Sequence, residues 1–440
     1  MKINIGRDNL APEGEAGAIA TRLPLALQNT GTVTRRIFKN IGWQYLNTLV
    51  TLISGLLMIY ILNHYLGIEG YGKYNLVLGF VPTFQILTDW GVTQIALREI
   101  AKERSQLTLI LGNLFWLRLA LSLPALLICW TVALLLNYSG EVLFTIFLFS
   151  ALLLHGPFEV FSLVFHVDLQ SKYVVIPTII CTLLNFGLVS SVVIFNLGMA
   201  PIFGAILLTN ALRLGSGLIL AGKFERPCFK LNFSIWRKLL LMALPLGLTS
   251  MVSAIYQQID VVLLSKLATP YAVGIYSAAL RLTNFTTFIP LAIASSLFPL
   301  FSNYYTTDQE RLRTLYRQAL AAMFGLALPL VIGVTLLSDK IIAFGFKPEF
   351  APVSTVLSIN IWQSAMLFPG ILAGYLLIAA GQQKINLWVQ LTSLVIDVAL
   401  DLLLIPNFSF LGAALANLIS TLALTALPLL IAARIISKRD

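Results

Sequence analysis

The 440-residue sequence contains few charged side chains: 11% of its residues are Asp, Glu, Lys or Arg, whereas 58% are hydrophobic. A soluble protein carries about 25% charged residues. This chain therefore has too little polar surface to cover a globule in water. Its apolar segments are long enough to cross a bilayer core, which takes about 20 helical residues. The composition excludes a soluble globular protein and predicts an integral membrane protein.

Cysteine and histidine are also scarce, with three of each. Neither residue type shows the spacing of a metal site or of a disulfide framework. We therefore expect no metal and no cofactor. The sequence also lacks a Gly-rich phosphate loop, an ATP-binding module and a nucleophile with a neighbouring base. These absences argue against an enzyme, so we expect a protein without catalytic residues.

The apolar segments predict the number of membrane crossings. Residues 1–39 are mixed and polar, and we expect a flexible cytoplasmic tail there rather than a signal peptide. From Asn40 onward the pattern predicts twelve transmembrane helices. Their ranges are 40–63, 74–96, 107–136, 141–165, 172–196, 201–222, 234–264, 272–300, 312–337, 352–379, 384–404 and 410–433.

The basic residues indicate the orientation. With the N-terminus inside, 22 of the 29 Lys and Arg lie in cytoplasmic segments and four lie outside. Cytoplasmic loops of membrane proteins carry such an excess. The distribution therefore predicts cytoplasmic N- and C-termini and an even number of helices. It also argues against nucleic acid as a partner, because the basic residues lie in short connections between apolar segments.

The two halves of the chain repeat several landmarks in the same order. Residues 64–80 (HYLGIEGYGKYNLVLGF) and 266–282 (KLATPYAVGIYSAALRL) each place a Gly-x-Tyr between two apolar runs; we call them the first and second corners. Pro124 corresponds in the same way to Pro329. Each half contains six helices, so both halves enter the membrane from the same face. The repeat predicts parallel halves, an arrangement suited to alternating access.

We therefore expect an all-α membrane protein with two six-helix lobes around a central cavity. The predicted boundaries are 40–222 for the N-lobe (helices 1–6), 223–233 for a cytoplasmic linker and 234–440 for the C-lobe (helices 7–12).

Three arginines lie inside predicted helices: Arg118, Arg213 and Arg281. A charged side chain at the bilayer centre costs roughly 2.5 to 17 kcal/mol unless it meets water or a partner. We therefore expect all three to face a cavity and to bind substrate. Asn284 shares a helical face with Arg281. Arginine suits a phosphate group because its planar fork binds two oxygens at once and stays charged.

Polar side chains also repeat at helical spacing on three other helices, as in a hydrated cavity. The first and seventh helices contribute three candidate substrate-binding residues: Gln44, Asn47 and Gln257. The seventh and eleventh contribute candidates for carrying a coupling proton or cation: Asp260, Asp397 and Asp401. Structural roles compete with these. Asp260 could pair with Arg281, Arg118 and Arg213 could serve helix packing, and hydroxyl groups could cap Asp397 and Asp401.

Five segments resemble the Wzx-type polysaccharide flippases of the multidrug/oligosaccharidyl-lipid/polysaccharide superfamily. They are NIGWQYLNTLV with YILNHYLGIEGYGKY, Asp89-Trp90-Gly91, IDVVLL with AVGIYSAALRL, GQQKINLWVQ, and LLLIPNFSFLGAALAN. The resemblance covers about Asn40 to Arg434. It implies twelve helices around a central cavity and transport of an oligosaccharide linked to a polyprenyl diphosphate, from the cytoplasmic to the outer leaflet. The eleventh helix departs from the family pattern, with Asp397 and Asp401 where Asn is frequent.

The resemblance further implies a role in surface polysaccharide synthesis at the bacterial inner membrane. The partners would be the lipid-linked oligosaccharide, membrane lipid and a polysaccharide polymerase or other assembly proteins. Two other functions stay open. One is an ion-coupled multidrug exporter of the same superfamily. The other is a membrane-embedded polymerase or glycosyltransferase, although the longest internal connection is short and basic.

Overall fold

The computed structural model describes residues 30–167, 170–224 and 227–437. Within these ranges the chain forms helices and short turns and no strand. The α-helices are α1 (Thr30–Thr83), α2 (Ile86–Asp89), α3 (Val92–Lys102), α4 (Leu107–Leu135), α5 (Gly140–Phe149), α6 (Gly156–Glu159), α7 (Leu163–Val167), α8 (Lys172–Ile194), α9 (Ala200–Phe224), α10 (Phe233–Tyr256), α11 (Ile259–Leu267), α12 (Pro270–Asn284), α13 (Phe288–Thr307), α14 (Gln309–Gly345), α15 (Val353–Ala379), α16 (Gln383–Phe408) and α17 (Phe410–Ser437).

Among the described residues, 11 helical stretches are long and apolar enough to cross a membrane. The first stretch, Gly42–Lys102, contains 61 residues and bends at Gly67, which has φ 63°. At about 1.5 Å per residue, this stretch is long enough for two crossings of a core about 30 Å thick. The prediction of an all-α membrane protein with about twelve helices is confirmed.

The ends of two helices differ from the prediction. The first helix begins at Thr30 instead of residue 40, so the end of the predicted tail is helical. Residues 1–29 of that tail lie outside the described residues. The ninth predicted helix, 312–337, is also longer in the structure, where α14 covers Gln309–Gly345.

Several predicted helices are interrupted inside the membrane region. The second breaks between α2 and α3, where Trp90 and Gly91 both have positive φ, at 46° and 76°. A non-glycine residue rarely adopts this conformation. The seventh breaks between α10 and α11 at Gln257 and Gln258. The eighth contains a 3₁₀ turn at Phe285–Thr287. These breaks turn the following side chains to a new helical face.

The two lobes pack against each other in two places. A large hydrophobic cluster joins α1 to α11 and α12 at the end of the molecule that contains both corners; we call this the corner end. At the opposite end α3 contacts α10, where Lys238 lies 2.5 Å from Glu99. The segment before α10 is fixed to α4, since the amide of Cys228 donates to Thr108 and that of Asn232 to the side chain of Asn113.

Candidate functional site

A cavity of about 350 Å³ lies between the lobes, next to the corner end. An adjoining space of about 190 Å³ shares Thr51, Gly55, Ile59 and Arg281 with it. We call the two together the central cavity. Its walls come from α1 and α8 of the N-lobe and, in the C-lobe, from α12 and the start of α11 with the break before it. The packing of α1 against α12 therefore leaves a space that side chains of both lobes reach.

Arg281 lines both parts of the central cavity. Its Nε donates to Oδ1 of Asn75 at 2.6 Å, and its guanidinium lies 5.8 Å from the ring centre of Tyr74. Within the described chain, no carboxylate lies within 4.0 Å of it. Its two terminal nitrogens make no hydrogen bond to any residue that the structure describes. Arg281 thus presents a charge without a counter-charge to a space between the lobes.

The other predicted cavity residues have mixed outcomes. Asn284 lines the central cavity near Arg281. Gln257 is exposed at the end of α10, whereas its neighbour Gln258 lines the cavity. Gln44 is exposed on α1, and Asn47 is half-buried on the same helix; neither is among the residues that line the cavity. The helix break explains the exchange of Gln258 for Gln257, because it rotates the face that meets α1.

Arg118 and Arg213 lie elsewhere, around a separate space of about 250 Å³ inside the N-lobe. Arg213 lies 3.3 Å from Glu159, and Arg118 lies 3.7 Å from the same carboxylate. Arg118 is also 3.6 Å from Asp89 and is only 4% exposed. We call Asp89, Arg118, Glu159 and Arg213 the N-lobe cluster. It brings two cations together with two acids, so its formal charges balance.

The placement of Arg118 and Arg213 corrects the prediction that both line the central cavity. Their helices, α4 and α9, pack within the N-lobe, and α6 carries Glu159 between them. Each arginine therefore has a carboxylate within 4.0 Å. The sequence contained a sign of this, since Glu159 and Asp89 are acids in the interior of predicted helices of the first half.

Asp260, Asp397 and Asp401 come together in the C-lobe, and we call them the C-lobe cluster. One oxygen from each lies within 4.8 Å of the others. All three are buried, at 3%, 0% and 0% exposure. Asp260 lies on α11, and the two other residues are one helical turn apart on α16. The structure thus unites the three residues that the sequence analysis selected for ion coupling.

Three neutral side chains donate to the C-lobe cluster. Tyr276 and Asn417 both donate to Asp260, the latter at 2.5 Å. Ser420 donates to Asp397 at 2.7 Å. Both oxygens of Asp401, one of Asp260 and one of Asp397 have no partner in the described part of the chain. Three charged carboxylates this close are unfavourable in a dry interior. The arrangement suits bound protons or a hard cation, which prefers oxygen ligands.

The alternative of an Asp260–Arg281 ion pair does not hold in the structure. Asp260 bonds to Tyr276 and Asn417, and Arg281 bonds to Asn75. Asn75, Tyr276 and Ser420 are contact residues that the sequence pattern did not predict. Tyr276 stood in the repeated Gly-x-Tyr, but nothing in one helix indicates which neighbour its hydroxyl group meets.

Two family models match the sequence. That of a family described as "Polysaccharide biosynthesis protein" matches residues 37–305, and the MatE model matches 245–403. A curated relative, the probable low-salt glycan biosynthesis flippase Agl15 of Haloferax volcanii, is 28% identical over 38% of this chain and 35% of its own length. The capsular polysaccharide biosynthesis protein CapF of Staphylococcus aureus is 23% identical over 43% and 48%. The matches span less than half of each relative.

Solved structures share the fold over most of the chain. The lipid II flippase MurJ in an inward closed conformation matches with a TM-score of 0.74 and 14% identity, over 88% of this chain and 87% of that one. An inward-facing multidrug resistance MATE transporter matches with a TM-score of 0.66 and 17% identity, over 89% and 95%. Because the first family model covers more than half of the sequence, the chain belongs to the polysaccharide biosynthesis protein family.

Proposed function

We propose that this chain is a flippase that moves an oligosaccharide linked to a polyprenyl diphosphate from the cytoplasmic to the outer leaflet. The observation that carries the proposal is Arg281, whose guanidinium faces the central cavity without a carboxylate partner. A diphosphate supplies the missing negative charge and can accept two parallel hydrogen bonds. Two curated relatives, Agl15 and AglR, are named as probable flippases, which supports the same class.

The lining of the cavity supports a polar head group. Asn284, Gln258 and Thr51 surround Arg281, and their amide and hydroxyl groups can exchange hydrogen bonds with sugar hydroxyls. Outside the cavity lining, α1 and α13 carry exposed apolar side chains, including Leu49 and Phe288. The lipid tail can stay against such surfaces while the head group crosses. Protein contacts then replace the hydration shell of the sugar.

We infer that the C-lobe cluster couples transport to a proton or cation gradient. It lies outside the residues that line the central cavity, so an ion bound there would not compete with substrate directly. The orientation follows from the excess of Lys and Arg on the side that holds the termini, which we assign to the cytoplasm of a plasma membrane. A surface-polysaccharide polymerase is the partner expected to consume the product.

A multidrug exporter is the second candidate, because the MatE model matches residues 245–403. Cationic drugs need an acid in the binding cavity. The acids of the C-lobe cluster are buried and bonded within their own lobe. The charged residue among the described lining of the central cavity is Arg281, a cation. The geometry therefore favours an anionic substrate.

Complementation of a strain that lacks its own oligosaccharide flippase tests the proposal. The wild-type chain should restore surface polysaccharide, and Arg281→Ala should reduce it to the level of the empty vector at equal membrane abundance. Arg281→Lys, which keeps the charge but loses the fork, should restore only part of it. Arg311→Ala, which removes an arginine that is 72% exposed, is the control and should behave as wild type. Normal polysaccharide in Arg281→Ala would remove Arg281 from the binding role, and drug resistance without rescue would favour the exporter.

A further inference from the structure

The two corners, which repeat each other in sequence, contact each other in space. A Cβ atom at Gly72 would overlap the carbonyl oxygen of Pro270, and one at Gly274 would overlap that of Ile68. The contact is therefore between two backbones, and only glycine permits so close an approach. Since Gly72 belongs to the N-lobe and Gly274 to the C-lobe, this contact closes the corner end of the molecule.

Other contacts close the same end. Lys266 of the C-lobe lies 3.6 Å from the ring centre of Tyr138 in the N-lobe, and it donates to the carbonyl of Leu136. Asn63 of the N-lobe donates to the carbonyl of Gly345 at 3.0 Å. All of these must separate if the lobes part here to release substrate. None of these residues is among those that line the central cavity, so a substrate in the cavity does not contact them.

One contact between the lobes is within reach of the substrate. Asn75 of α1 lies one residue beyond the first corner's Gly-x-Tyr and accepts from Nε of Arg281 at 2.6 Å. The amide of Asn75 is fixed, because its Nδ2 donates to the carbonyl of Tyr71 at 2.8 Å. Asn75 is 5% exposed and lines the central cavity with Arg281. The residue proposed to bind substrate thus also ties the C-lobe to the N-lobe.

We propose that Asn75 is a positioning residue whose bond to Arg281 holds the corner end closed until an anionic substrate replaces it. This inference rests on the proposed function, because the competing anion is the diphosphate of the substrate. Besides end-on binding through its two terminal nitrogens, arginine binds a phosphate side-on through Nε and one terminal nitrogen. The diphosphate can adopt this geometry only by taking Nε from Asn75. The diphosphate oxygens carry a charge opposite to that of the guanidinium, whereas the Asn75 amide is neutral, so the exchange favours the substrate.

The exchange provides the differential affinity that alternating access requires. A ligand shifts an equilibrium between two states only if it binds one of them better. With the lobes closed, Arg281 is shared between Asn75 and the ligand. With the lobes apart, the whole guanidinium fork is available. The anion therefore binds the state with an open corner end more tightly, while a lipid without the diphosphate has no such preference.

Distances between spin labels test this inference on the purified full-length chain. The label sites are Leu135→Cys in the N-lobe and Phe344→Cys in the C-lobe, which are 79% and 91% exposed near the corner end. The three native cysteines are replaced by alanine in every sample. Farnesyl diphosphate in detergent is the probe, and farnesol, which lacks the diphosphate, is its control. Binding of radiolabelled farnesyl diphosphate is measured in parallel by equilibrium dialysis.

In the wild type we expect farnesyl diphosphate to raise the ratio of the long-distance population to the short-distance population at least fivefold. This is the lower end of usual allosteric couplings, which are about 5–150-fold. Farnesol should leave the ratio unchanged. Asn75→Ala should raise this ratio without ligand and bind the probe at least as tightly. Asn75→Asp, which gives Arg281 a charged partner, should lower the ratio and weaken binding. Asn63→Ala, which removes another hydrogen bond between the lobes, should keep the response to the probe.

The outcomes separate this inference from the proposed function. If the probe binds in an Arg281-dependent manner, but Asn75→Ala and Asn75→Asp have wild-type distances, the positioning role of Asn75 is wrong and the proposed function stands. If binding is the same in Arg281→Ala, anion binding by Arg281 is wrong. The distances in the ligand-free Asn75 variants then still decide whether its bond holds the lobes together. Loss of the response in Asn63→Ala would also contradict the inference, because the effect would not depend on Arg281.

Discussion

Both lobes bury ionisable side chains within the membrane, but they do so in opposite ways. The N-lobe cluster contains two arginines and two acids, and each arginine lies within 4.0 Å of a carboxylate. The C-lobe cluster contains three carboxylates and, among the described residues, no basic side chain within that distance. Its protein partners are neutral hydroxyl and amide groups.

The difference indicates which cluster needs something from outside the protein. A balanced cluster satisfies its own charges, and removing one partner leaves an uncompensated charge. An acidic cluster in a dry interior is stable only when protons or a cation neutralise it. We therefore regard the N-lobe cluster as a structural element and the C-lobe cluster as the ion-dependent one. Arg281 differs from both, because in the proposed function its missing partner is the substrate.

The largest expected effect follows from neutralising Asp397. Asp397→Asn should abolish rescue in the complementation assay, because the C-lobe cluster loses one of its three ionisable ligands. In the wild type, a cation at 100 times its Kd should stabilise the fold by about 2.7 kcal/mol, and this stabilisation should disappear in the variant. Thermal unfolding in NaCl, LiCl or KCl against choline chloride at constant ionic strength measures it.

The matched control is Glu159→Gln, which neutralises an acid of the N-lobe cluster and should keep the response to the cation. A response that tracks pH and no cation would assign the coupling role to the proton. An unchanged response in Asp397→Asn would contradict the distinction between the two lobes.

Effects of intermediate size are expected on the stability of the fold when one acid is neutralised in each lobe, and the two lobes should respond differently. Glu159→Gln should destabilise the fold by about 1–3 kcal/mol. This is less than the 3–5 kcal/mol typical of a fully buried pair, because the side chain of Glu159 is 34% exposed. Asp401→Asn should be neutral or stabilising in the absence of cation, since neither of its oxygens has a hydrogen-bond partner among the described residues and two carboxylates lie nearby. Unfolding temperatures of the two variants in choline chloride measure the contrast. Equal destabilisation by both would show that the C-lobe cluster is as self-sufficient as the N-lobe cluster.

The sequence predicts the helices well because membrane spans are set by local composition. Long apolar runs and the positions of charges are enough to predict the crossings and the repeat of the two corners. The sequence could also select Asp260, Asp397 and Asp401, since a charge inside an apolar helix is costly unless it has a function or a partner.

The partners of those charges could not be predicted in the same way. Arg118 and Arg281 both lie within apolar helices, and only the rotation of each helix decides whether a carboxylate or the central cavity lies opposite. The break between α10 and α11 decides a similar choice, because Gln258 lines the central cavity and Gln257 does not. The contact between Gly72 and Gly274 is similar: the repeat makes the two positions equivalent, but equivalence does not imply that they touch.

The smallest expected effect concerns a single hydroxyl group. Ser420 donates to Asp397 at 2.7 Å and lies 3.1 Å from the hydroxyl of Tyr256. Ser420→Ala should destabilise the C-lobe by about 1 kcal/mol, the usual net value of one hydrogen bond. Ser122→Ala is the matched control in the N-lobe and should be close to neutral. Among the described residues, the buried hydroxyl of Ser122 bonds only to the carbonyl of Arg118 in its own helix. Unfolding temperatures with and without cation distinguish two roles for Ser420. If the cost falls when a cation is bound, the hydroxyl group compensates for charge in the C-lobe cluster; an equal cost in both conditions would limit it to packing.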